Sequence, residues 1–427
     1  MERVEQVFLG VDQGVSLAEG PPRGPRRGAE AGKVQVVPDF ALAVQGGRVA
    51  AAGPRKEILS RFRPARTVDL GGGVLVPGFV DPHTHPVFLD TREKEFHLRV
   101  AGASYVEISK AGGGILSSLR GVREASQEEL VRRVRARLDR MLLEGTTLVE
   151  AKTGYGLSPE SEAKSLRVLR KAAEGHPVDL VSTFLGAHEV PPEYREDRKG
   201  YLDLLCREML PAARSMAEFA DVFTEAHVFG LEDSRVYLSR AKELGFGLRV
   251  HADEIEPLGG AELAVELGAA SADHLVAVSP RGIEALGRSE TTAVLLPATT
   301  FQLGKERYAP ARDLLDAGAV VALATDFNPG TSFCWSMPLT AALAVVKMKL
   351  TAGEALTACT INAAFSLGRD GEAGSLHPGK KADFVVLDLP SFQAFGYALA
   401  AGLARWVVKE GRIAVSPRGV ERGEGWK

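Results

Sequence analysis

The chain has 427 residues, 45% of them hydrophobic and 25% charged, with a formal net charge of -3. The length fits one large domain or two, and the balance is that of a globular protein in water. No Lys/Arg block is dense enough to follow a phosphate backbone, and no apolar run is long enough to cross a bilayer, so neither nucleic acid nor membrane is an expected partner.

The N-terminal stretch MERVEQVFLGVDQGV carries acidic residues and no long apolar core, unlike a secretory signal. GPPRGPRRGAEAG (20–32) lacks apolar periodicity and reads as a mobile, solvated loop. ALAVQGGRVAAAG (41–53) reads as a hairpin turning at Gly46-Gly47. From residue 74, apolar strand-like runs alternate with amphipathic helix-like runs. The strands are expected at 74–81, 147–152, 178–188, 221–226, 247–253, 271–275, 292–298 and 320–327. One helix is expected to start at Ser126, with Glu129 completing a capping box. It carries Leu130, Val134, Leu138 and Met141 on one face and stops at Gly145. Another starts at Ser158 with Pro159 in its first turn. The segment 86–125, with Arg92 and Gly112-Gly113-Gly114, reads as a long loop over an active site. Eight strands alternating with helices point to an α/β fold, a (β/α)8 barrel. A doubly wound open sheet gives a similar string. The cysteines Cys206, Cys334 and Cys359 are scattered and form no CxxC, which suits a reducing cytoplasm.

The polar residues at the strand ends favour the barrel, whose active site forms at the C-terminal ends of its strands. In order they are His83 and His85; Glu150, Lys152 and Tyr155; His188; Glu225; His251 and Glu254; His274; and Asp326. Five of the nine histidines fall at such ends, and His227 trails the fourth strand. In PGFVDPHTHPVF (77–88), His83 and His85 are two residues apart, so on a strand they project to one face and can share an ion. RVHADE (249–254) adds His251, with Glu254 placed to take a proton from a bound water. ALATDFNPG (322–330) adds Asp326 as a carboxylate ligand; its bland alternative is a helix cap. His274 of SADHL (271–275) is open to two roles, a further ligand or a polariser of the substrate carbonyl. His188 reads as a substrate contact or a satisfied core histidine. Arg92 suits a substrate carboxylate, although most loop arginines are only solvated.

These residues resemble the amidohydrolase superfamily: HxH after strand one, His on strands five and six, Asp on strand eight. The tail GSLHPGKKADFVVLD (374–388) is similar to that superfamily's return to a small β domain. Within it, PHTHPVFLDTREKEF, AGASYVEISKAGGGI, VEAKTGYGL, TFLGAHEVPPEY, LRVHADE, SADHL and ATDFNPGTS resemble the imidazolonepropionase family along nearly the whole chain. The resemblance implies a small β-sandwich domain from both chain ends (1–75 and 372–427) beside a catalytic barrel (76–371). It implies hydrolysis of 4-imidazolone-5-propanoate to N-formimidoyl-L-glutamate, the third step of histidine breakdown, and a homodimer. His83, His85, His251 and Asp326 match the metal ligands. Arg92, Tyr155, His188, Glu254, Asn328, Gly330 and Thr331 match substrate-binding positions. Glu254, His274 and Asp326 are the expected catalytic groups. Strand four offers Glu225 where binuclear relatives have a bridging lysine, so one divalent ion is expected, zinc favoured over iron. Two other readings remain at this point: a deaminase of a nitrogen heterocycle in the same superfamily, and a metal-free scaffold protein on the same barrel.

Overall fold

A computed structural model describes residues 1–103, 113–399 and 402–421. Residues 104–112, which include Gly112 and much of AGASYVEISKAGGGI, lie outside the described residues.

The chain begins with β1 (Glu2–Gly14), β2 (Val37–Gln45), β3 (Arg48–Pro54), β4 (Phe62–Asp69) and β5 (Val74–Pro77). After the barrel it returns through β14 (Phe384–Leu387), β15 (Ala404–Lys409), β16 (Arg412–Ser416) and β17 (Gly419–Val420). These nine strands form one mixed sheet from both chain ends. β1 alternates its burial: Phe8 and Val11 pack into one core with Phe40 and Phe384, whereas Val7 and Leu9 pack into another with Phe62. The hairpin of β2 and β3 turns at Gly46 and Gly47, whose φ of 58° and 71° suit a type I′ turn.

The run expected as one strand over 74–81 is split. Val74–Pro77 pairs with β1 and β14 in the small sheet, and only Phe79–Asp81 (β6) enters the barrel. Pro77 lacks an N–H for the ladder. Gly78 sits so close to Thr147 that a Cβ there would lie 2.4 Å from its Oγ1. The small-sheet strand therefore crosses the boundary expected between residues 75 and 76.

β6 is followed by β7 (Thr146–Lys152), β8 (Asp179–Ala187), β9 (Phe219–Thr224), β10 (Gly247–Ala252), β11 (Ser271–His274), β12 (Thr292–Leu295) and β13 (Val320–Leu323). The eight strands pair in sequence order, every pair parallel. The ring closes just beyond β6 and β13: Asp326 N donates to His83 O at 3.1 Å and His85 N to Phe327 O at 2.8 Å. The seam of the barrel thus runs through three residues expected to hold metal.

Helix Gln127–Leu143 buries Leu130, Val134, Leu138 and Met141, and Gly145 follows it at φ 95°. Ser126 accepts from Glu129 N as expected, but the Glu129 carboxylate turns to Arg132 and Arg133, so the capping box is only half made. Ser158 caps helix Pro159–Ala173. Two expectations are corrected. Segment 86–125 is not simply a loop, since it folds into helices Glu93–Val100 and Ile115–Glu124. Segment 20–32 is tied to the barrel, not free. Gly24 N donates to Asp370, Arg26 exchanges two hydrogen bonds with Asn362, and Arg27 pairs with Glu290.

Candidate metal centre and active site

Along each barrel strand alternate side chains point inward. Glu150 and Lys152 on β7, Asp221 on β9, Arg249 and His251 on β10 and Asp273 on β11 are all buried in this way, with His83 and His85 just past β6. Barrel interiors are ordinarily filled with branched apolar residues. A charged interior is costly unless its members satisfy one another or hold an ion.

The imidazoles converge. His83 Nε2 lies 3.2 Å from His85 Nε2, and Asp326 Oδ1 lies 3.4 Å from the first and 3.3 Å from the second. The His251 ring lies 4.5 Å from that of His83, centre to centre, and its Nε2 is buried without a hydrogen-bond partner among the described residues. His83, His85 and His251 offer ligand atoms within 4.8 Å of one another, as do His83, His274 and Asp326. Ligand atoms around a tetrahedral zinc are spaced by about 3.3 Å, given bonds of about 2.0–2.1 Å. The donor set therefore fits a divalent ion, and this is a buried His/Asp metal-binding site.

Carboxylates fix the direction of the rings. His83 Nδ1 donates to Asp273 Oδ2 at 2.6 Å, and His251 Nδ1 to Asp221 Oδ1 at 3.1 Å. A proton on Nδ1 leaves the Nε2 lone pair facing the centre of the site. Burial drives the His85 imidazole well below its ordinary pKa, which keeps it neutral and able to ligate. Thr299 Oγ1 donates to Asp326 Oδ2 at 2.6 Å, so Oδ1 is the oxygen turned to the histidines. Buried carboxylates, among them Glu150, Asp221, Asp273 and Asp326, outnumber the buried cations Lys152 and Arg249 around the histidines, and a cation there would offset part of that excess.

His274 and Asp326 leave their strands with φ of 76° and 51°, a region that non-glycine residues seldom adopt and that clusters at functional sites. His274 Nδ1 lies 3.5 Å from Glu254 Oε2, beside the clustered imidazoles. The His188 ring stacks on His85 at 5.1 Å, and its Nδ1 donates to Gly154 O at 3.0 Å. Burial, aided by His251, pushes the His188 imidazole down to about 3. Tyr155 is buried with its ring 5.3 Å from that of His188.

Arg92 and Gly330 lie against each other: a Cβ on Gly330 would lie 2.4 Å from Arg92 Cζ. Asn328 spends its amide inside its own loop. It accepts from Gly330 N and Thr331 N at 2.8 and 2.7 Å and donates to Asp326 O at 2.7 Å. Asn328 and Thr331 thus shape the loop that carries Gly330. A groove of about 820 Å³ opens beside Arg92 and Gly330, lined by Phe96, Phe301, Phe333 and Trp335. Glu225 accepts from Ile255 N at 2.8 Å and does not belong to the clustered ligands. Sequence reasoning missed Asp221, Asp273 and Thr299. The only signal available for Asp273 was its place next to His274.

Residues 100–415 match the profile of the amidohydrolase family. The imidazolonepropionase of Symbiobacterium thermophilum is 48% identical over 99% of this chain and 100% of its own. That of Bacillus velezensis is 44% identical over the same shares. The chain belongs to the imidazolonepropionase family of amidohydrolases. Solved structures with the same fold include a zinc-bound adenosine deaminase from Xanthomonas campestris, TM-score 0.71 at 18% identity, covering 99% of this chain and 95% of that one. The guanine deaminase of E. coli has a TM-score of 0.73 at 17% identity, over 96% and 99% of the two chains. Among the described residues, no helix is long and apolar enough to cross a membrane.

Proposed function

We propose that this chain hydrolyses the lactam ring of 4-imidazolone-5-propanoate to N-formimidoyl-L-glutamate, with His83, His85, His251 and Asp326 holding one divalent ion. The observation that carries the reading is the 48% identity to an imidazolonepropionase over the full length of both chains. The convergence of three imidazoles and one carboxylate supports the ligand assignment. Such a donor set suits zinc, which the Xanthomonas deaminase binds, better than iron. An ion there supplies Lewis acidity toward water and the ring carbonyl.

The residues around it divide the remaining work. The Glu254 carboxylate takes the proton of the attacking water. His274, 3.5 Å from Glu254, donates to the oxygen of the ring carbonyl as it gains negative charge. Glu254 or Asp326 returns a proton to the departing ring nitrogen. His188 donates from Nδ1 to Gly154, so its Nε2 is left to accept from a ring N–H. Arg92 holds the propionate arm against the loop of Asn328, Gly330 and Thr331, and Tyr155 closes the ring's other side. The small sheet of both chain ends, whose fifth strand runs to Pro77, supports the catalytic barrel that begins at Phe79. The family likeness supports a homodimer, and three free cysteines suit a cytoplasmic setting.

The test is to load the purified protein with zinc and follow the absorbance of imidazolonepropionate. Its rapid loss with release of formimidoylglutamate is expected. Inert substrate together with ammonia release from a purine or pyrimidine base would replace this reading with a deaminase.

A further inference from the structure

Lys152 lies inside the barrel beside the metal centre, fully buried. Its Nζ is 2.8 Å from Glu150 Oε1, 2.8 Å from Asp221 Oδ2 and 3.9 Å from Asp273 Oδ2. Each of these carboxylates touches a different part of the ligand set. Asp221 faces His251 Nδ1, and Asp273 faces His83 Nδ1. Glu150 Oε2 accepts at 3.3 Å from the backbone N–H of Thr84, the residue between His83 and His85. The Lys152 backbone N–H adds a bond to Thr84 O at 2.9 Å.

We propose that Lys152 is a positioning residue for the metal centre: its ammonium gathers Glu150, Asp221 and Asp273 and so aims the Nε2 atoms of His83 and His251. Three carboxylates crowded in a dry interior repel one another unless a cation sits among them. Without it they turn away from one another. An aspartate that has turned away no longer accepts from Nδ1–H, and the ring loses the orientation that ligation needs. Arg249 does not duplicate the role. Its guanidinium lies 3.6 Å from Asp273 and 3.9 Å from Glu150 and donates to the carbonyls of Pro82 and Ser366, but among the described residues it forms no ion pair with Asp221, so the carboxylate behind His251 is left to Lys152. Lys152 spans the carboxylates behind both histidines and reaches the backbone of the HxH segment as well.

The inference rests on His83 and His251 being ligands, and the experiment separates the two claims. Zinc affinity of the whole chain is measured by competition with a chromophoric chelator, and the visible spectrum of the cobalt-loaded protein is recorded. Lys152→Met is expected to weaken zinc binding by about 10- to 100-fold, the usual cost of losing an outer partner of a ligand, and to alter the cobalt bands. A double variant, Lys152→Met with Glu150→Gln, removes one charge of each sign. It is expected to show the same loss and decides the matter if the single variant fails to fold. Lys409→Met is the control. Lys409 is buried between Asp179 and Asp383 in a similar ion cluster outside the metal site. Its loss is expected to lower the melting temperature and leave zinc affinity unchanged. Lys152 variants that bind zinc as tightly as the unaltered chain, with the same cobalt spectrum, would overturn the proposal. If His83→Ala also kept that affinity, the ligand assignment itself would fall.

Discussion

Arg92 is held by Glu95. The Arg92 Nε lies 3.0 Å from both Glu95 oxygens, and Nη2 lies 2.8 Å from Oε2. Glu95 in turn accepts from Gly114 N at 3.1 Å and Ser117 Oγ at 2.8 Å. The guanidinium is therefore anchored from behind, with Nη1 on the side of Gly330. A held cation binds a carboxylate at a lower entropic cost than a free one. Arg92→Ala is expected to lower kcat/KM by about 10- to 100-fold, from a charge-assisted contact of about 1.5–3 kcal/mol. Arg92→Lys keeps the charge but loses the planar fork, so its penalty is smaller. Metal content should not change. For an analogue without the propionate the Arg92→Ala penalty should largely vanish. An equal penalty on both compounds would make Arg92 a support of its loop and nothing more.

Gly330→Ala probes the same contact from the opposite side. The new Cβ would lie 2.4 Å from Arg92 Cζ and Nη1, and those atoms are the mobile end of a long side chain. The guanidinium can move aside, so the protein should fold with a melting temperature near that of the unaltered chain. KM for the natural substrate should rise toward the Arg92→Ala value. An unchanged KM would show that the position of the guanidinium does not matter to binding.

The ligands make a sharper prediction. His83→Ala and Asp326→Ala each remove a candidate donor atom from the buried His/Asp cluster. Elemental analysis should find most of the metal gone, and turnover should be nearly abolished. Full metal content with normal turnover in either variant would refute the assignment.

Glu254→Gln preserves shape and removes the proton acceptor. With the ion retained, kcat should fall by roughly 10²–10⁴ while KM changes little. Near-normal kcat would move the base to Asp326 or His274.

The barrel strands and the clustering of His83, His85, His251 and Asp326 were legible in the sequence because each signal is local. An apolar run ends in a histidine or aspartate, and two histidines two residues apart must share a strand face. The partners behind them were not legible. Asp221 reads as an ordinary strand residue until register sets β9 beside β10 and places it behind His251, 30 residues away. Asp273 reaches His83 across 190 residues. Helix Glu93–Val100 buries no residue, so it shows no apolar stripe to read. The 20–32 segment is fastened through backbone groups to Asn362 and Asp370, more than 300 residues on, and its composition carries no trace of that.

The most direct test of the whole account is a zinc titration of the metal-stripped protein, with turnover of 4-imidazolone-5-propanoate measured at each addition. The account predicts no activity without metal, a linear rise, and a plateau at one ion per chain. Full turnover in the stripped protein, or no turnover at one bound ion per chain, would contradict it.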